Sequence, residues 1–210
     1  MKELDLLKKD WQKNDNSFEQ VSEIEIYKMI HKKSSSIVKW ILIISILEVL
    51  LWTLLNLLFN NDDYFKELKH DEIITYLNIL SYFSYGVVLI FIYLFYKNYI
   101  AITTTVSTKQ LMKDILKTRK TVQFYVWYNL GMIVFYCIIG FTIAFTYNPD
   151  VNILREKIVN DGKIMAITIG ILLLTIVLLF GIFWLFYRLL YGILLRRLYA
   201  NYKELKKIDL

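Results

Sequence analysis

Apolar positions gather into four runs, at residues 37–59, 76–96, 124–147 and 164–187, and the segments between them are polar and alternately basic and acidic. A helix needs about 20 apolar residues to cross the roughly 30 Å hydrocarbon core of a bilayer, so each run predicts one transmembrane helix. The expected fold class is all-α, an integral membrane four-helix bundle with cytoplasmic helical extensions. Residues 1–36 are expected to form N-terminal amphipathic helices, and residues 37–210 the four-span bundle with a loop at 97–123 and a tail at 188–210.

The flanking segments carry their own helical patterns. Leu4, Leu7 and Trp11 recur at helical spacing along residues 2–13. Ser22 and Glu25 stand at the spacing of a capping box, with Val21 and Ile26 as the staple, and open a helix through Tyr27 and Ile30 towards His31. Ser34, Ser35 and Ser36 either end that helix or carry it into the first span. In the 97–123 loop, the β-branched Thr103, Thr104 and Thr105 predict a turn. Val106, Ser107, Gln110 and Leu111 then repeat staple and box. The helix they open has Leu111, Ile115, Thr118 and Val122 on one side and Lys109, Lys113 and Lys117 on the other. Such a helix beside a membrane lies on lipid headgroups or extends the third span. Leu190, Ile193, Leu194 and Leu198 keep helical spacing past the fourth run, so that helix is also expected to outrun the bilayer. Asn148 with Pro149, and Asp161 with Gly162, predict turns on the opposite side.

Charge turns this pattern into a topology. Of the 25 basic residues, seven precede the first run, Lys39 sits just inside it, six lie at 97–120 and six follow from Arg188. The other two connections hold only Lys66 and Lys69, and Arg155, Lys157 and Lys163. The positive-inside rule places both termini and the middle loop in the cytoplasm. The net charge of +6 is thus a topology signal, and the partner expected is the lipid bilayer, not nucleic acid. With 57% hydrophobic residues committed largely to the spans, no segment remains for a separate globular domain. The single cysteine, Cys137, lies in the third run and allows no intramolecular disulfide.

Polar residues inside the runs are the candidates for specific chemistry. Glu48 lies eleven residues from either end of the first run, and an ionisable group in a span is a functional hypothesis by default. A bare carboxylate in hydrocarbon is costly, so it holds a proton or is paired. Ser45, Trp52 and Asn56 share its helix face. Tyr85, Tyr136 and Thr175 lie near the centres of the other runs, at the depth expected for partners. This polar cluster reads either as a clasp that fixes helix register or as a proton, ion or ligand site. Tyr82 also lies deep enough to need a partner inside the bundle. Gly140 and Ala144 form a small-xxx-small pair that predicts close helix packing.

Absences narrow the function. The lone proline, Pro149, is outside the runs, so the broken helices of conventional transporters are not signalled. His31 and His70 fall on opposite sides of the membrane, cannot share a metal, and read as surface residues. No HExxH, CxxC, GxSxG or phosphate-binding glycine loop is present, so no cofactor is implied and familiar catalytic machinery is hard to place.

The stretch from Ser22 to Glu48, with the preceding LLKKDWQKNDNSFEQV, resembles a family of four-span membrane proteins of unknown role from Bacteroidota, flavobacteria in particular. Many members carry the label β-carotene monooxygenase. Carotenoid oxygenases are propellers that hold iron with four histidines, and two histidines on opposite sides of a membrane do not fit that chemistry. The resemblance implies a bacterial inner-membrane protein and assigns no functional residue.

Three functions follow in order. The first is a non-enzymatic accessory or regulatory protein, anchoring cytoplasmic helices that dock a protein partner through Leu4, Leu7 and Trp11. The second is a small channel or proton-coupled carrier using Glu48 at the membrane midplane. The third is a lipid-binding or lipid-modifying protein, for which a cavity beside Glu48 would be the structural sign. Four spans rarely enclose a pore alone, so a homo-oligomer enters with the second reading.

Overall fold

The computed structural model describes residues 22–58, 71–148 and 151–208. It is helical, with no strand among the described residues. In chain order the elements are α1 (Glu23–Leu58), α2 (Asp71–Thr104), α3 (Thr108–Tyr147), the short α4 (Asn152–Asn160) and α5 (Gly162–Tyr187). A single π-helical turn, Arg188–Gly192, then joins α5 to α6 (Ile193–Ile208). Four of these helices are long and apolar enough to cross a membrane, the fourth being the continuous rod of α5, the π turn and α6. The protein is therefore a multi-pass helical membrane protein.

Helix starts follow the local chemistry closely at one site and depart from it at another. At α1 the capping box is formed: Glu25 accepts from the Ser22 backbone N–H at 3.0 Å and from its hydroxyl at 3.1 Å. The Glu25 N–H donates to Ser22 Oγ at 3.3 Å. Ser34, Ser35 and Ser36 do not break the helix, which runs unbroken to Leu58. At α3 the expected second box is absent. Ser107 is the N-cap without a side-chain cap, and Val106 is 87% exposed and staples nothing. The reason is Asp114, a buried carboxylate that takes the Gln110 amide at 3.1 Å and the Thr105 hydroxyl at 3.1 Å. The threonine turn falls where expected, with the hydroxyls of Thr103, Thr104 and Thr105 returned to carbonyls of Tyr99, Ile100 and Ala101. Asp161 caps α5 by accepting from the Lys163 N–H at 2.8 Å. The helix α4 has no buried residue, and the sequence pattern announced only the turns around it.

The core occupies one end of the bundle. On α1 the buried positions are Ile30, Ser34, Val38, Ile41, Ser45 and Glu48, a stripe with the helical period of 3.6. On α2 they begin at Phe91, on α3 they stop at Leu130, and on the α5–α6 rod they begin at Tyr187. Nearest the chain ends, Ile30, Val38, Ile102, Leu111, Ile115, Leu198 and Leu205 pack together. Next to them lies a more aromatic cluster of Ile41, Phe91, Phe95, Val122, Tyr125, Leu130, Tyr187 and Tyr191. Beyond that layer no described residue is buried. The apolar pattern is thus used in two ways: as a packed core near the termini and as lipid-facing surface beyond it. Gly140 belongs to the second zone, where a Cβ would meet nothing within 4 Å, so the small-xxx-small pair makes no close helix contact.

Candidate functional site

Glu48 ends the buried stripe of α1 and is only 5% exposed. Three tyrosine hydroxyls donate to its carboxylate: Tyr187 to Oε1 at 2.5 Å, and Tyr125 and Tyr191 to Oε2 at 3.0 Å each. Tyr187 and Tyr191 flank the π turn, one placed just before it and one within it. A π turn inside an α-helix is a recurrent mark of a functional position. The rings are fixed in turn: Tyr125 meets Phe95 edge-on at 5.4 Å and Phe91 at 5.3 Å, and Tyr187 stacks on Tyr191 at 6.1 Å.

These partners correct the depth expected from the sequence. Tyr85, Tyr136 and Thr175 do not bond Glu48. Tyr136 pairs with Ser84 at 2.9 Å, and Thr175 returns its hydroxyl to the Ile171 carbonyl of its own helix. Ser45 likewise bonds the Leu42 carbonyl, and Asn56 is exposed. The cause is a shift in register. Glu48 is mid-run, but Tyr125, Tyr187 and the Phe95 packed on Tyr125 each lie within one residue of the end of their own runs. At 1.5 Å of rise per residue, the first run is displaced by about 15 Å along the bundle towards the chain ends. The level of Glu48 is also ringed by exposed aromatics, with Tyr93, Tyr96 and Trp184 outward and Trp127 64% exposed.

On the far side of Glu48 from the packed core is a cavity of about 260 Å³. Glu48, Val49 and Trp52 of α1 form one wall, Ser81, Ser84, Tyr85 and Val88 of α2 another, and α3 contributes Tyr125, Tyr128, Asn129, Met132, Ile133 and Tyr136. So Tyr85 and Tyr136 share a space with Glu48 although neither touches it. The Tyr128 hydroxyl, on this lining, is buried and has no partner. Among the described residues no lysine, arginine or histidine lines the cavity. Tyr82, expected to be inside, is 75% exposed. A second cavity, of about 760 Å³ and mostly apolar, lies between α3, α4 and α5, with Phe141, Phe145 and Leu172 in its walls. Met132 of the first cavity and Phe141 of the second are nine residues, two and a half turns, apart, so the two open on opposite faces of α3.

The remaining candidates are placed as follows. Lys109, Lys113 and Lys117 are exposed, opposite the buried Leu111, Ile115, Thr118 and Val122. Lys117 also borders a recess of about 520 Å³ with Lys120, Phe124 and Trp127. Leu4, Leu7 and Trp11 lie outside the described residues, as does His70. His31 is half-buried with Nε2 unpartnered, not a surface residue. Among the described residues no group of three or more His, Cys, Asp and Glu side chains is placed to hold a metal.

The tyrosine cage was missed from sequence because Tyr125 and Tyr187 stand at the run ends, where tyrosine reads as an interfacial belt residue. The signal available was the i, i+4 pair Tyr187 and Tyr191, which puts two hydroxyls on one helix face. No curated protein and no solved structure matches the chain. A family model does match, over residues 24–210, and the chain belongs to that family, described as a domain of unknown function, DUF8845.

Proposed function

We propose that this protein is a non-enzymatic membrane protein that holds a small amphipathic molecule in the cavity beside Glu48. The carrying observation is one half-open cavity of about 260 Å³ that joins a buried carboxylate, several hydroxyls and apolar walls. Binding sites for small molecules have this make-up, mostly apolar with a few polar groups that orient the ligand. The exposed ring of Tyr93, Tyr96, Trp127 and Trp184 supports a membrane–water interface at the level of Glu48, not the midplane. A conduit has less support, since the packed layer of Ile41, Phe95, Tyr125 and Tyr191 closes the bundle on the terminal side. The basic flanks support cytoplasmic termini, and the resemblance noted above supports the inner membrane of a member of the Bacteroidota.

Docking of a cytoplasmic partner through Leu4, Leu7 and Trp11 is a second reading. Its support is the packed platform that α1, α3 and α6 build near the chain ends, cored by Ile30, Leu111, Ile115, Leu198 and Leu205.

Native mass spectrometry of the protein released from its own membrane in mild detergent tests the first reading. A bound small molecule is expected on the unmodified protein and not on Val88→Phe, whose larger side chain fills the cavity. A protein that carries no such adduct, and that no small amphiphile protects against heat, overturns it.

A further inference from the structure

Three hydroxyls donate to Glu48, one to Oε1 and two to Oε2, and the Trp52 side chain of the cavity wall also interacts with this carboxylate, so Oε1 carries a single hydroxyl. Among the described residues, none that lines the cavity this carboxylate faces is basic. On the cavity side the carboxylate therefore has no counter-ion among the described residues. On the same lining the Tyr128 hydroxyl is buried and unpartnered, able to donate or to accept. The remaining wall is aromatic, with Trp52, Tyr85, Tyr125 and Tyr136 presenting rings to the same space. Ring faces attract cations, most strongly where water is excluded. An acid without a described counter-ion, an unpartnered hydroxyl and an aromatic wall converge on one kind of ligand.

Resting on the proposed binding function, we infer that the cavity is a site for a hydrophobic organic ammonium ion with at least one N–H. The ammonium donates to Glu48 Oε1 and to the Tyr128 hydroxyl, and its apolar body lies against Val49, Val88 and Ile133. Size sets the scale: a cavity of about 150 Å³ takes benzene, so 260 Å³ takes one ring and roughly five further heavy atoms. A bare metal ion suits the site poorly, because it needs several oxygen ligands and the one carboxylate in the lining already accepts three hydroxyls.

Three probes of equal heavy-atom count separate charge from hydrogen bonding and from shape: 4-phenylbutylammonium, 4-phenyl-1-butanol and pentylbenzene. Binding is measured by calorimetry on the full chain in lipid nanodiscs, with empty nanodiscs subtracted, at neutral pH. The ammonium is expected to bind at least about tenfold tighter than the alcohol, as befits a charge-assisted hydrogen bond. Glu48→Gln should remove that preference, and Tyr128→Phe, which keeps the ring and leaves Glu48 untouched, should reduce it severalfold. Val88→Phe should abolish binding of all three. Equal affinity for the ammonium and the alcohol in the unmodified protein overturns the ammonium assignment while leaving the binding function standing. Binding of none of the probes overturns both. An ammonium preference that survives in Tyr128→Phe and Glu48→Gln alike places the cation elsewhere and also overturns the assignment.

Discussion

Tyr187 and Glu48 stand 139 positions apart in the chain and share a buried hydrogen bond, hydroxyl to carboxylate. The bond ties the end of the last apolar run to the middle of the first. Replacing Tyr187 with Phe removes the donor and keeps the ring that packs on Tyr191 and Phe186. The expected cost is about 1–3 kcal/mol, the range for leaving a buried polar group short of a partner. Thermal unfolding in detergent should show a clear drop in midpoint for Tyr187→Phe and none for Tyr93→Phe, whose ring faces outward. Equal midpoints for the two variants would remove the Tyr187 bond from the stabilising contacts.

A second polar contact crosses the terminal end, where the buried Asn201 amide donates to the buried Ser34 hydroxyl at 3.0 Å. Ser34→Ala, Asn201→Ala and the double variant form a cycle. The coupling energy should be about 0.5–1.5 kcal/mol, the net value of one neutral hydrogen bond. Strict additivity of the two single changes would show that the pair is only adjacent.

The cap of α1 gives a pH dependence. The Ser22 backbone N–H and hydroxyl hold the Glu25 carboxyl below its ordinary value, with Lys28 adding a weaker attraction. A carboxyl lowered on folding stabilises the folded form fully above its ordinary value. That stabilisation is lost as pH falls through the lowered one. The first turn of α1 should therefore fray below about pH 4, seen as faster hydrogen exchange at its first free amides. Glu25→Gln should exchange at a rate that does not change over the same interval once intrinsic chemistry is divided out. A wild-type cap that responds no more than the Gln variant counts against the carboxylate's role.

The level of Glu48 in the bilayer can be measured through its aromatic neighbours. Variants retaining only Trp127 or only Trp184 should be quenched most by lipids brominated near the headgroup end of the acyl chain. Strongest quenching by bromine at the chain terminus would return Glu48 to the midplane.

The four runs were legible in the sequence because hydropathy reports on solvent, and each run is long enough to require lipid. The capping box at Ser22 and Glu25 was legible because both partners lie within one turn. The box at Ser107 and Gln110 failed because Asp114, a long-range participant in the turn at Thr105, competes for Gln110. The partners of Glu48 were not legible for a related reason. Aligning run centres assumes that every helix sits symmetrically in the bilayer, and α1 is offset, since Ile37, Val38, Ile41, Leu42 and Ile44 serve the terminal core. Hydropathy cannot tell a residue buried in protein from one facing lipid. The cavity was signalled only by its acid; its hydroxyl-rich walls, such as Ser81 and Ser84, look like ordinary span residues.

The π turn at Arg188–Gly192 separates two stretches of helix with different demands on rotational phase. Before it, α5 has no buried residue until Tyr187, so turning that helix about its axis exchanges one apolar face for another. After it, Leu198, Asn201 and Leu205 must all point inward. A single deletion within residues 188–192 would leave the hydropathy profile, and with it insertion, unchanged, yet swing that inward face by about 100°. Homologous chains should therefore vary freely in length before Tyr187 and hold strict count from Tyr187 to Leu205.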